Sequence, residues 1–170
     1  MFAHCDLLSG NIILQNNTVA AKAPGVETVS FIDYEYASPS PAAFDIANHF
    51  AEWGGFDCDF SVLPTRSQRR DFIREYIRSY FLHSRLQQTP QEEEAAAIRL
   101  FEEVDIFRGI PGFYWGIWAL IQSTISQIDF DYSAYAEIRL GEHRAWREVE
   151  SRAAAGKDIP LREKRWAQEA

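Results

Sequence analysis

His4-Cys5-Asp6-Leu7-Leu8-Ser9-Gly10-Asn11 is the stretch on which the reading of the chain turns. It sets a carboxylate, Asp6, five positions before a carboxamide, Asn11, with His4 two positions before the carboxylate. A carboxylate can accept a hydroxyl proton and orient the oxygen for attack, and an amide oxygen is a hard ligand suited to a divalent cation on phosphates. Asp6 suits the first task and Asn11 the second. A further carboxylate ligand is expected at a nearby strand end, and Phe31-Ile32-Asp33-Tyr34-Glu35-Tyr36 supplies Asp33 after the β-type run Val29-Ser30-Phe31-Ile32.

The spacing is that of the kinase catalytic loop, His-x-Asp-x-x-x-x-Asn, and Asp33 stands where kinases keep the Asp of Asp-Phe-Gly. One such loop arises by chance often enough, and an Asp near a chain start is commonly a solvated turn residue. The downstream text changes the balance. Ile32-Asp33-Tyr34-Glu35-Tyr36-Ala37, then Phe44-Asp45-Ile46-Ala47-Asn48-His49-Phe50-Ala51-Glu52-Trp53, then Phe113-Tyr114-Trp115-Gly116-Ile117-Trp118 with Phe130 and Tyr135, resemble the choline/ethanolamine kinase family in order and spacing. The resemblance runs from His4 to about Trp146.

That resemblance implies the C-terminal lobe of a protein-kinase-like fold, mainly α with a small β-hairpin, over residues 1–155, followed by a charged tail over 156–170. It implies ATP-dependent phosphorylation of the hydroxyl of ethanolamine or choline, with Mg²⁺ held by Asn11 and Asp33 and the product feeding phosphatidylethanolamine synthesis. Asp6 would be the catalytic carboxylate and His4 would hold the loop, although a His so near the terminus is as readily mobile. Asp45, favoured in a first helical turn by the dipole alone, would brace the loop, and Glu35 would support it or a metal. Glu52, Tyr36, Trp115, Trp118, Phe130 and Tyr135 would receive the ammonium. Ala37-Ser38-Pro39-Ser40-Pro41-Ala42-Ala43-Phe44 and Glu52-Trp53-Gly54-Gly55-Phe56-Asp57-Cys58 look most like fungal-type ethanolamine kinases, and Asp57 offers an extra acceptor to a primary ammonium.

Read without the resemblance, several of these residues have plainer explanations. Trp115 and Trp118 lie on one stripe of a helix, and such stripes are usually core, though their faces also attract alkylammonium groups. Glu52 ends a helix, where the dipole disfavours it, and therefore calls for a cation; a surface glutamate is the alternative. Asn48 and His49 read as satisfied polar helix residues.

Length and composition bound the rest. The chain has 170 residues, 46% hydrophobic, enough for one domain. A net charge of -8 argues against a nucleic-acid partner and is compatible with a cationic substrate. No stretch approaches a membrane span and no signal core is evident, so a cytoplasmic enzyme is expected, with a homodimer left open. Cys5 and Cys58 have neither disulfide nor metal spacing and read as reduced thiols. A loop beginning at His4 leaves no room upstream for the Gly-rich loop and strand lysine that cover ATP, and Lys22 follows the loop. A C-terminal lobe inactive by itself is therefore expected. Two other classes remain: another kinase-like phosphotransferase, acting on aminoglycosides or proteins, and a non-catalytic fragment or binding module.

Along the chain, a hairpin is expected over Asn11–Leu14 and Thr28–Asp33 with a polar loop between, and no regular structure over Ser38-Pro39-Ser40-Pro41. Helices are expected over Ala42–Trp53, from Thr65 or Ser67 to about Leu86, from Thr89 to Phe107, over Phe113–Ile128 and over Ser133–Ala154. Lys157–Ala170 is expected to be a mobile tail, with at most a short helix around Arg162–Gln168.

Overall fold

The computed structural model describes residues 1–15 and 28–170. The expected polar loop, with Asn16-Asn17, Lys22 and Pro24-Gly25, lies outside them. The described elements are β1 (Phe2–Ala3), β2 (Ile12–Gln15), β3 (Thr28–Phe31), β4 (Ser38–Pro39), α1 (Ala42–Ala51), α2 (Arg66–Ser84), α3 (Pro90–Phe107), α4 (Ile110–Ile125), α5 (Tyr132–Ala154) and α6 (Leu161–Ala167). The architecture is the mainly helical one expected, with two small antiparallel ladders. One pairs β2 with β3, Ile12 opposite Phe31 and Gln15 opposite Thr28. The other pairs β1 with β4, Ala3 opposite Ser38, and corrects the expectation of no regular structure there. Pro39 fits because the ladder is two residues long and at an edge, where a missing N–H is tolerated.

Helix starts follow local chemistry. Thr65 and Thr89 each form a reciprocal capping box, with Gln68 and Glu92, and Pro90 occupies the first turn of α3. Helix α4 starts three residues before the expected Phe113, because Pro111 sits in its first turn and needs no N–H partner there.

Two packing arrangements position the site. In one, Ile46 and Phe50 of α1 meet Ile73, Leu100, Val104 and Trp166 in the main core. In the other, α4 lies very close to α5: a Cβ at Gly112 would come within 2.6 Å of the Arg139 carbonyl oxygen, and one at Gly116 within 2.7 Å of Leu140. That close approach brings Trp118 of α4 against Tyr132 of α5, with ring centroids 5.6 Å apart.

The segment expected to be a mobile tail is docked. Trp166 is 4% exposed and donates its indole N–H to Asp105 at 2.7 Å. The guanidinium of Arg69 lies 3.9 Å from the Trp166 ring. The carbonyls of Gln168 and Glu169 accept the free N–H groups of Arg66 and Ser67 at the start of α2. A charged segment thus finds fixed partners for its few apolar and backbone groups. Charge content alone does not show such partners.

Candidate active site

The His4–Asn11 loop is held by its backbone. Cys5 has φ 62°, a left-handed conformation costly for a non-glycine residue, and both of its peptide groups are bound. Its N–H donates to Asp45 Oδ1 at 2.7 Å, and its carbonyl accepts from Asn48 Nδ2 at 3.1 Å. Asn48 in turn accepts the Trp115 indole N–H at 2.7 Å. His49 Nδ1 donates to the Leu7 carbonyl at 2.7 Å, while its Nε2 accepts from the Trp53 indole at 3.2 Å. The ring is therefore neutral, and burial lowers its pKa further. Three residues of one helix face, Asp45, Asn48 and His49, consequently fasten consecutive parts of the loop. Asn48 and His49 are satisfied polar residues, as the sequence suggested, but what satisfies them is the loop.

His4 Nε2 donates to the Ile32 carbonyl at 2.9 Å, and its ring packs on Tyr34 with centroids 4.6 Å apart. This ties the loop to the end of β3, where Asp33 adopts φ 61°. Asn11 closes the turn before β2, its amide nitrogen donating to the Asp6 carbonyl at 2.8 Å and to Asp6 Oδ2 at 3.2 Å. With the nitrogen so engaged, Asn11 presents its oxygen elsewhere. Burial, helped by the Glu52 charge, pushes Asp6 up to about 6, against the opposing pull of His4 and Asn11.

These residues meet in a cavity of about 280 Å³ lined by Asp6, Leu8, Asn11, Asp33, Glu35, Tyr36, Glu52, Phe56, Trp115, Trp118 and Tyr135. The lining carries four carboxyl groups, five aromatic rings and no basic side chain. Trp118 donates its indole N–H to Tyr36 Oη at 2.8 Å, and Trp115 stands edge-on to both Tyr36 and Trp118, at 5.3 and 5.5 Å. Trp115 is buried and Trp118 half-buried, so the stripe is core and wall at once.

Phe130 and Asp57 depart from their expected places, and Glu52 keeps its place in the lining with a partner that the sequence did not show. Phe130 does not line the cavity; it packs behind Phe56 and Tyr135, at 5.9 and 5.6 Å, and Phe56 takes the lining position. Asp57 is exposed and outside the lining. Glu52 has its cation inside the protein, because Arg139, 1% exposed, sets Nη2 at 3.1 Å from Glu52 Oε1. Burial raises the Glu52 pKa, opposed by Arg139. Arg139 was missed because arginine is by type a surface residue; its place one turn beyond Tyr135, on the same helix face, and the uncompensated carboxylate of Glu52 at the end of α1 were the signals that could have found it.

Among the described residues no group of three or more His, Cys, Asp or Glu side chains gathers as a resident metal site. Asn11 and Asp33 fit a looser arrangement, in which Mg²⁺ takes one or two protein oxygens and completes its shell with phosphates and water.

Comparison with known proteins bears on the family and the fold. Residues 1–143 match the model of the family described as choline/ethanolamine kinase. A probable ethanolamine kinase of Arabidopsis thaliana is 36% identical over 145 residues, covering 85% of this chain and 34% of that protein. The ethanolamine kinase of Drosophila melanogaster is 39% identical over 151 residues, covering 88% of this chain and 26% of that one. The solved ethanolamine kinase of Plasmodium vivax superposes with a TM-score of 0.64 at 35% identity, covering 84% of this chain and 33% of its own. The chain thus spans about a quarter to a third of the length of these relatives. A family match over residues 1–143, together with relatives at 36–39% identity over more than four fifths of the chain, shows that the chain belongs to the choline/ethanolamine kinase family.

Proposed function

We propose that the chain forms the acceptor-binding and catalytic-loop part of an ATP-dependent ethanolamine kinase. The observation that carries this reading is the cavity itself, where Asp6 shares about 280 Å³ with Glu52, Glu35 and five aromatic rings. An amino alcohol has a cation at one end and a hydroxyl at the other, and the cavity offers partners for both. The ammonium would sit against the faces of Tyr36, Phe56, Trp115, Trp118 and Tyr135, attracted by their quadrupoles and by Glu52. Its N–H groups favour ethanolamine over choline wherever acceptors such as Glu52 Oε2 and Glu35 face the cavity. The names of the matched relatives support the same preference.

At the other end, Asp6 would accept the hydroxyl proton as the oxygen forms its bond to the γ-phosphorus of ATP and ADP leaves. Asp6 is poised for this because its burial keeps its basicity above that of an ordinary carboxylate. Asn11 and Asp33 would hold Mg²⁺, which when bound neutralises charge on the phosphates. Asn11 would then serve both ends of the reaction, since the same side chain fixes Asp6 through its amide nitrogen. No helix is long and apolar enough to cross a membrane among the described residues. A cytoplasmic location, where ATP and a free amino alcohol meet, completes the reading.

The test joins this chain to the ATP-binding lobe of one of the matched ethanolamine kinases and assays ethanolamine and choline in parallel. Ethanolamine should be the better acceptor, and Asp6→Asn should lower turnover about 10²–10⁴-fold. Undiminished turnover in Asp6→Asn, or activity on choline alone, overturns the assignment. The 170-residue chain by itself is expected to bind ethanolamine without phosphorylating it.

A further inference from the structure

The carboxylate of the amine cavity is the end of a buried chain of charges. Glu52 Oε1 lies 3.1 Å from Arg139 Nη2, and Arg139 Nε lies 3.1 Å from Glu142 Oε1. Glu142 Oε2 lies 3.0 Å from Arg162 Nε, and Arg162 Nη1 lies 2.6 Å from Glu163 Oε1. Glu163 Oε2 finally meets Arg108 Nε at 3.2 Å. Arg139, Glu142, Arg162 and Glu163 are each 4% exposed or less. The chain therefore runs through the interior from the cavity to α6, a helix that begins eighteen residues beyond the family-matched span of 1–143.

The contacts on either side of Arg139 are close without being aligned. Its Nε and Nη2, with Glu52 Oε1 and Glu142 Oε1, are buried and make no hydrogen bond of good geometry. Arg139 is thus held by opposing charges more than by directed bonds, and two carboxylates draw on it at once through different nitrogens, so that its position is a balance between them. What fixes the outcome is Arg162, which occupies the other oxygen of Glu142.

We propose that Arg139 is a positioning residue for Glu52 and that Arg162 of α6 sets its balance, making the C-terminal helix a determinant of ammonium affinity. The inference rests on the cavity being an amine site. Without Arg162, both oxygens of Glu142 turn to Arg139 and draw it from Glu52. A buried carboxylate deprived of its cation takes up a proton and ceases to attract an ammonium.

The test is ethanolamine binding to the 170-residue chain, followed by tryptophan fluorescence at constant ionic strength, with each variant's melting temperature recorded alongside. Arg162→Met should raise the Kd about tenfold, a size usual for coupling between contacting charged groups. Adding Glu142→Gln to Arg162→Met removes the competitor and should bring the Kd back to within about threefold of the unsubstituted chain, since Arg139 is left with Glu52 as its carboxylate partner. Trp166→Phe removes the indole N–H from Asp105 but keeps a ring beside Arg69 and Arg162, so it loosens α6 while leaving the Glu142–Arg162 pair in place, and should lower the melting temperature at unchanged Kd. An unchanged Kd in Arg162→Met overturns the proposal. A double variant no better than the single one, or a Trp166→Phe variant as weak as Arg162→Met, reduces α6 to a packing role and overturns it as well. No binding by the unsubstituted chain removes both this inference and the functional reading beneath it.

Discussion

Two polar clusters meet at Asp6 and Glu52, and they are built on opposite principles. Around the catalytic loop, Asp45, Asn48 and His49 bind peptide groups of Cys5 and Leu7, so that a side chain satisfies the backbone and fixes a strained conformation. Behind Glu52, side chains bind side chains: Arg139, Glu142, Arg162 and Glu163 neutralise one another out of contact with water. On the proposed function, the first cluster would set where the reacting atoms lie. The second would set how much charge the cavity presents. Hydrogen bonds to the backbone are directional and suit the first task, whereas buried charges are costly unless paired and suit a site that must stay negative to hold a cation.

If the clusters differ in this way, they should fail differently. The largest loss is expected for Glu142→Ala, which takes one of two carboxylate partners from each of two buried guanidinium groups, Arg139 and Arg162. Breaking buried ion pairs from one side costs about 3–5 kcal/mol, measured by urea unfolding. A cost under about 1 kcal/mol would show that water replaces the carboxylate and that the chain of charges is loose. Asp45→Ala should cost less, about 1.5–3 kcal/mol for a hydrogen bond to a charged group, but should disturb the Cys5 backbone where Glu142→Ala does not. Amide exchange at Cys5 distinguishes the two, and continued protection there in Asp45→Ala would contradict the bracing role.

The amine wall is next in size. Trp118→Leu should weaken ethanolamine binding by about 1–2 kcal/mol, the value of a desolvated cation–π contact. Trp118→Phe keeps a ring and should lose less, although it gives up the hydrogen bond to Tyr36. Equal binding in all three proteins, with melting temperatures falling in the order of side-chain size lost, would make Trp118 core alone.

The smallest expected change is a gain. Asp6 titrates at about 6 in the folded chain, above its ordinary value of 3.8, so the fold favours its protonated form. Stability attached to this group is complete below about pH 4 and is lost as pH rises through about 6. Asp6→Asn imitates the protonated form, and should raise the melting temperature by a few degrees, on the order of 2–4 °C per kcal/mol, at pH 7 but not at pH 4. A rise of equal size at both pH values would mean that the carboxylate charge is not what burial opposes.

What the sequence made legible follows from how far each cause reaches along the chain. Thr65 and Thr89 announce their helices because a cap and its glutamine or glutamate are three residues apart. The His4–Asn11 loop is legible as a motif for the same reason: the residues that mark it lie within eight positions. The pairing of β1 with β4 joins residues 2–3 to 38–39 and leaves no local trace. Phe130 and Phe56 could not be told apart by type, and only tertiary packing decides which ring faces the cavity. Arg139 and Arg162 were hidden because burial of an arginine depends on partners far along the chain. The docking of α6 depends on Trp166 finding Asp105 and Arg69, 61 and 97 residues away.

One titration bears on the amine assignment most directly. The chain has five tryptophans, and their indole N–H resonances can be followed together by NMR as ethanolamine is added. Trp115 and Trp118 line the cavity, while Trp166 donates to Asp105 in the main core and Trp146 packs against His143 on α5. Saturable shifts at Trp115 and Trp118, with Trp146 and Trp166 unmoved, are the expected result. Shifts at Trp146 or Trp166 alone, or no saturable shift at any indole, would contradict the placement of the ammonium in this cavity.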